Sequence, residues 1–333
     1  MVMEVAVNRR AVLGLVAGAL DAPAVVRNAQ GGSYPDRPVR LIVPYPPGGG
    51  TDTWARLVSE GMQPELGQAI VIENRAGASG MVGAEVVAKA VPDGYTLLFH
   101  ITTHVQAPVV LRRFPYNPID DFAFIGRLGT TAITFCIGPA VPVEISTLAE
   151  FVAWGRGRDV AIGNYGPGSS GHAFGLLLAK EAGLKATQVA YRGEAPMLQD
   201  LLAGSFHGGF HSTIVAGEMI KAGRLRPLAT GGPVRVPSLA DRVPTLLELG
   251  YSRRFDFSGF NGLFAPARVP REVLDRLVPA FRKVATAPET LRRLHAIDTI
   301  PGYEDPATFR ASAERTLRLW QEMAESLDLY ATT

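Results

Sequence analysis

Cysteine is almost missing from this chain. Cys136 stands alone among 333 residues, so no intramolecular disulfide can form. It falls in the apolar stretch 132–137 and is expected to be a packed core thiol, because a nucleophile needs an exposed, electropositive setting. Long hydrophobic runs are missing too: residues 12–20 are apolar but too few to span a bilayer, and no later stretch is long enough to be a membrane helix. Charge of one sign is not in excess. With 33 Lys and Arg against 31 Asp and Glu, the net charge is +2 and no basic stripe follows the first residues, which excludes a nucleic-acid footprint. There is no G-x-S-x-G elbow, hence no serine hydrolase of that kind. His207 and His211 lie four apart, as do His100 and His104, but no cysteine or tight carboxylate cluster completes a zinc set. No metal and no cofactor is expected.

What is present is a chain 47% hydrophobic and 19% charged, long enough for two lobes with their own cores. The first residues resemble a twin-arginine export signal: Arg9 and Arg10 stand directly before the apolar run, and Ala22-Pro23-Ala24 offers a cleavage site. An ordinary Sec signal fits the same pattern. Residues 1–32 are therefore expected to be an export signal and leader, with the mature chain starting between Val25 and Ser33 in the periplasm. No cysteine follows the run, so a lipid anchor there is excluded.

The most informative segment is 39–52, VRLIVPYPPGGGTD. Its apolar start suits a buried parallel strand. Pro44, Pro46 and Pro47 stiffen the exit, and Gly48, Gly49 and Gly50 leave backbone N–H groups bare. Thr51 or Asp52 can cap a helix whose apolar face is Trp54, Leu57, Val58 and Met62. A helix N-terminus offers free N–H donors and the positive end of the dipole, so the unit is an anion cradle suited to a carboxylate. A second loop between a strand and a helix, 164–172 (NYGPGSSGH), mirrors it, with Ser169 and Ser170 as hydroxyl donors.

The rest alternates strand-like and helix-like stretches, which predicts βαβ units. Strands are expected at 69–73, 95–100, 122–128, 132–137, 160–164, 187–191, 208–211, 225–230 and 255–264. Helices are expected at 80–90, 106–111, 147–156, 171–182, 195–202 and 214–222, and three helical stretches end the chain. There is no internal repeat or low-complexity linker.

Residues 34–52 (YPDRPVRLIVPYPPGGGTD) resemble the opening of the solute-binding proteins of tripartite tricarboxylate transporters, the Bug family. The likeness continues in 71–80 (VIENRAGASG), 90–98 (AVPDGYTLL), 114–122 (FPYNPIDDF), 164–172, 191–193 (YRG), 243–245 (VPT) and 260–266 (FNGLFAP), in the expected order. The resemblance implies a non-enzymatic α/β protein of the two-lobed type II periplasmic binding fold, a flytrap of parallel-core sheets joined by short hinge crossings. Residues 33–140 and 255–333 would form lobe one, and 141–254 lobe two. The protein would be monomeric and would capture a small organic carboxylate for membrane transporter subunits. The cleft residues implied are Tyr45, Gly48, Gly49, Thr51, Asp52, Thr103 and His104 from lobe one. Gly168, Ser169, Ser170, His172, Tyr191 and His211 would come from lobe two. Asp52 is expected to cap its helix rather than touch an anion.

Family members usually carry an aspartate where His211 stands, between Phe210 and Ser212. An imidazole there removes a repulsive charge and would admit a more acidic ligand, even a diacid, while arguing against cationic amino acids. Two other functions compete. Residues 166–171 match the dinucleotide pattern G-x-G-x-x-G, with Glu194 beyond the next strand, although Pro167 stiffens that turn. The same flytrap could also present its closed form to a membrane sensor kinase.

Overall fold

The structure, a computed structural model, describes residues 34–111, 114–327 and 329. The expected export leader lies outside them. In chain order the elements are β1 (Val39–Val43), α1 (Gly50–Leu66), β2 (Ile70–Asn74), α2 (Met81–Ala88), β3 (Thr96–Ile101), α3 (Thr103–Val110), β4 (Phe122–Thr131) and β5 (Ile133–Ile137). They continue with α4 (Leu148–Gly155), β6 (Asp159–Asn164), α5 (Ser170–Ala182), β7 (Lys185–Ala190), α6 (Glu194–Leu202), β8 (Gly208–His211), α7 (Thr213–Lys221) and β9 (Arg226–Gly231). The last are β10 (Gly259–Pro266), α8 (Arg271–Thr286), α9 (Pro288–Ala296), β11 (Ile300–Glu304) and α10 (Pro306–Leu327).

Two mixed sheets form the two lobes. The first has the order β11-β4-β10-β3-β1-β2, with β1 parallel to β2 and β3, and β10 antiparallel to β3 and β4. The second has the order β7-β6-β8-β5-β9, with β6 parallel to β7 and β8, and β5 antiparallel to β8 and β9. The parallel cores agree with the βα alternation; β5 and β10, which run against them, are the strands that follow each crossing between sheets, and the edge strand β11 pairs antiparallel with β4.

Side-chain alternation along the strands explains the layering. Leu41 and Val43 pack with Trp54 and Leu57 of α1 and Phe281 of α8, whereas Ile42 packs on the other face with Ala84 of α2 and Phe309 of α10. In the second sheet, Ile133, Phe135 and Ile137 face Phe151 of α4 and Phe174 of α5, while Cys136 faces Met197 of α6 and Ile220 of α7. Cys136 is the fully buried core thiol that its surroundings predict, and burial pushes its pKa up. The helix α4 is started by a complete capping box between Thr147 and Glu150. The helix α10 serves both lobes: Phe309 and Ala313 lie under the first sheet, and Trp320 and Ala324 pack with Val110 of α3 and Ala173 of α5.

Three elements differ from the sequence reading. The strand β5 hydrogen-bonds to β8 and β9, so residues 133–137 sit in the second sheet and the first crossing is at Ala132. Its apolar alternation matches the second core, which is why it crosses there. The stretch expected as one strand at 255–264 is a single 3-10 turn, Arg253–Phe255, then a strand beginning only at Gly259. Phe255 belongs to the second core, so the return crossing occupies 256–258. The strand β11 was not foreseen. It is half-buried, contains Pro301 and Gly302, and carries no β pattern of its own. Its pairing with β4 is held by Arg127, whose Nε donates to Gly302 O at 2.8 Å and whose Nη1 pairs with Glu304 at 3.1 Å.

Candidate binding cleft

A cleft opens between the two sheets, and the N-termini of four helices converge on it. Gly49, Gly50 and Thr51 come from α1, Thr102 and Thr103 from α3, Ser170 from α5, and Glu194 and Ala195 from α6. This follows from topology: a parallel strand followed by a helix places the helix N-terminus at the strand's carboxyl end, where ligands bind in open α/β sheets. The crossings contribute Thr131, Ile133, Phe257 and Gly259. The remaining walls are largely aromatic, with Tyr45, Trp54, Tyr165, Phe174 and Phe260.

The first cradle is smaller than the glycine run suggests. Gly49 is the N-cap in extended backbone (φ −82°, ψ 169°), so the first-turn amides of Gly50 and Thr51 have no intrahelical acceptor. Asp52 does not face the cleft. Its carboxylate accepts from Gly48 N at 3.1 Å, Asn74 Nδ2 at 3.0 Å and Arg56 Nε at 2.8 Å. Burial alone would raise its pKa, but those bonds outweigh it and hold the carboxyl below its usual value. The Gly48 amide is thereby used up, and Gly48 shapes the turn (φ +79°) without lining the cleft.

The second loop is satisfied internally. Gly166 N donates to Asn164 Oδ1, Gly168 N to His172 Nδ1, Ser169 N to Gly166 O, Gly171 N to the Tyr165 hydroxyl and His172 N to Ser169 Oγ. Gly168, Ser169 and His172 therefore hold the loop's shape, and Ser170 alone of the four expected residues reaches the cleft. Of the loop amides from Gly166 to His172, only Ser170 N is left without an internal acceptor, too few to cradle a pyrophosphate, which removes the structural basis of the dinucleotide reading.

The expected histidines lie elsewhere. His104 turns from the cleft into an aromatic cluster with Phe122 and Phe264, its Nε2 2.7 Å from Pro118 O. Thr103, one residue earlier on the helix, faces the cleft. His211 is fully buried on the α6/α7 side of β8, opposite Thr134, and does not line the cleft. Tyr191 lies over a shallow crevice beside Pro46 and Pro47, with its hydroxyl donating to Asp200 Oδ2 at 2.9 Å. Among the described residues, no imidazole lines the cleft, so His211 does not set the charge that a ligand meets. The carboxylate there is Glu194, which the sequence offered only as a nucleotide partner. Its signal was its position: it directly follows Gly193, at the first turn of a helix opening off a parallel strand.

Glu194 is partly buried, and its carboxylate accepts from Ser212 N and Ser212 Oγ, each at 2.8 Å. Burial raises its pKa against the opposing effect of those two bonds.

Among the described residues, hydrogen bonds bridge the lobes at several points: Ser238 N and Oγ donate to Asp298 at 3.0 and 2.6 Å, and two more involve cleft elements. Ser79 Oγ donates to Pro167 O at 2.7 Å, and Gln106 Nε2 donates to Ser170 Oγ at 3.0 Å. Ser79 is held with φ +55° directly after Ala78 at φ +45°, left-handed backbone that is costly without glycine. Removing the hydroxyl keeps that strain and loses the bridge. Ser79→Ala is expected to weaken the binding of every ligand by about fivefold, equivalent to one hydrogen bond of about 1 kcal/mol, without altering preference among ligands. Calorimetry with two different ligands checks this; unequal losses would place Ser79 in ligand contact instead.

Comparison with known proteins agrees with this architecture. The family model described as "Tripartite tricarboxylate transporter family receptor" matches residues 54–329. A UPF0065 protein of Agrobacterium vitis is 33% identical over 302 residues, covering 87% of this chain and 85% of its own. The periplasmic binding protein BugD superposes with a TM-score of 0.85 at 29% identity, over 90% of this chain and 100% of that one. An R. palustris protein solved with adipate superposes with a TM-score of 0.84, also at 29% identity, over 89% and 98%. The chain belongs to the tripartite tricarboxylate transporter receptor family, two-lobed periplasmic binding proteins that bind solutes and are not enzymes.

Proposed function

We propose that this protein is exported to the periplasm, captures a small organic carboxylate in the cleft and delivers it to membrane transporter subunits. The observation that carries this reading is the convergence of four helix N-termini on one cleft, whose lining includes Gly50 and Thr51 with first-turn amides that have no intrahelical acceptor. Such ends stabilise an anion through free N–H donors and the helix dipole, without a lysine or arginine. Tyr45, Gly49, Thr51, Thr103 and Ser170 are the contacts, and Glu194 joins them. The two lobes close about the crossings at Ala132 and 256–258, and Ser79 and Gln106 fasten the closed form. A relative solved with adipate supports a carboxylate as the ligand class.

A melting-temperature screen against mono- and dicarboxylates and amino-substituted acids tests this. A ligand at 100 times its Kd stabilises the folded protein by about 2.7 kcal/mol. A set of carboxylates without a single upward shift, beside a shift with a non-acid, would overturn the reading.

A further inference from the structure

The relative solved with adipate invites the expectation of a diacid here, but the cleft is built against one. We propose that Glu194 makes this cleft select a ligand that bears a cationic nitrogen, primary or quaternary ammonium, as well as its carboxylate. The inference rests on the carboxylate reading above and narrows it.

The charge balance of the cleft comes first. Among the described residues that line it there is no lysine, arginine or histidine, and Glu194 carries the one formal charge. A second ligand carboxylate would meet that charge with no cation to offset it.

Occupancy points the same way. The two Glu194 oxygens already take Ser212 N and Ser212 Oγ at the start of α7, where Ser212 is the N-cap. The protein's own carboxylate thus fills the anion position that this helix end would otherwise offer to a ligand. Each oxygen keeps a further lone pair, which can accept from an ammonium.

The walls complete the site. Trp54 Cζ3 and Glu194 Oε2 lie 3.5 and 3.6 Å from the same spot beside Gly50, so the indole and the carboxylate border one space. Tyr45 and Tyr165 also line the cleft; burial raises their phenol pKa values, and the nearby Glu194 charge adds to it. Aromatic faces around a carboxylate attract a cation through the ring quadrupole and disfavour an anion.

The test is calorimetry on the mature protein with probes of matched length: 4-aminobutanoate, 4-(trimethylammonio)butanoate, pentanoate, glutarate and butylamine. The wild type is expected to bind at least one of the two zwitterions about tenfold or more tighter than pentanoate and glutarate, since a close charge pair supplies discrimination of that order. E194Q, with its melting temperature checked, is expected to lose that margin and to improve for glutarate. If glutarate is the tightest probe for the wild type, or E194Q leaves the ratio of zwitterion to glutarate unchanged, the role of Glu194 is overturned while carboxylate capture stands. If butylamine binds as tightly as 4-aminobutanoate, carboxylate capture itself is wrong. Absence of binding by all five probes overturns both. The wild-type ranking needs no variant, so a misfolded E194Q leaves the proposal falsifiable.

Discussion

Gly50→Leu is expected to abolish ligand binding, by at least about 100-fold or 2.7 kcal/mol, while leaving the protein folded. A Cβ placed on Gly50 would lie 3.5 Å from Trp54 Cζ3, 3.6 Å from Glu194 Oε2 and 3.6 Å from Ser212 Oγ. Those are ordinary contact distances, so Gly50→Ala fits. The further carbons of leucine have nowhere to go but the cleft. Because Gly50 belongs to the first lobe and Glu194 and Ser212 to the second, the side chain also wedges the lobes apart. Gly50 is the first residue of α1, and leucine is the better helix former, so stability should hold or rise. The neighbouring Gly49 also lines the cleft but has no second-lobe atom near its Cβ position, so its variant is expected to weaken binding less, without the wedge. Gly49 sits at φ −82° with only Pro46 O near its Cβ position, at 3.7 Å, so Gly49→Leu is tolerated by the backbone. This reverses the reading of the sequence, which placed Gly49 among the cleft residues and left Gly50 out. Calorimetry with a ligand found in the melting screen decides it. Retention of affinity within about fivefold in Gly50→Leu would show that the ligand lies elsewhere.

That reversal marks how far the sequence could be read. The βα alternation, the parallel strands and the two glycine-rich loops were legible because each depends on local pattern: period-two apolar residues, then glycine, then a capped amphipathic helix. Which N–H group in a loop stays free was not legible. Asp52 uses up the Gly48 amide, and His172 and Tyr165 use up those of Gly168 and Gly171, through bonds set by three-dimensional turns. The fate of His211 was hidden for a related reason. A strand end can face the cleft or the helical layer, and the face follows from register with β5, where Thr134 and Cys136 share its side. Glu194 was visible as a residue but not as a wall of the cleft, since its role depends on Ser212 arriving beside it from a strand and loop later in the chain. The strand β11 escaped because an edge strand bonded on one side tolerates Pro301 and Gly302, and only its partner β4 reveals it.

The buried histidines that leave the cleft carry the second large effect: folding stability should fall steeply as pH drops from about 6.5 to 4. His104 and His211 are fully buried, and burial pushes their pKa values down to about 4 and about 3. His100 is lowered well below its ordinary value by burial and by His104, whose ring centroid is 5.2 Å away, and burial lowers His172 to about 4. Above about pH 6.5 these groups are neutral whether the chain is folded or not, so they cost nothing. Below it the unfolded chain takes up protons that the folded protein refuses, and stability declines; the decline ends once pH passes the folded values. Each such group contributes a slope of about 1.4 kcal/mol per pH unit, so His104 and His211 alone give roughly 3. Glu194 acts in the opposite sense, because its raised pKa lets the folded form take a proton first, but it is one group against four. Typical stabilities of 5–15 kcal/mol would be consumed at about pH 4–5, before most surface carboxylates protonate. His211→Leu isolates the cause, since neither ring nitrogen of His211 has a protein partner to lose. Urea unfolding at half-unit pH steps should show the variant's slope between pH 6 and 4 reduced by about 1.4 kcal/mol per unit. A wild-type profile that stays flat over that interval, or a slope unmoved by His211→Leu, would mean that these imidazoles reach solvent and titrate as they do in the unfolded chain.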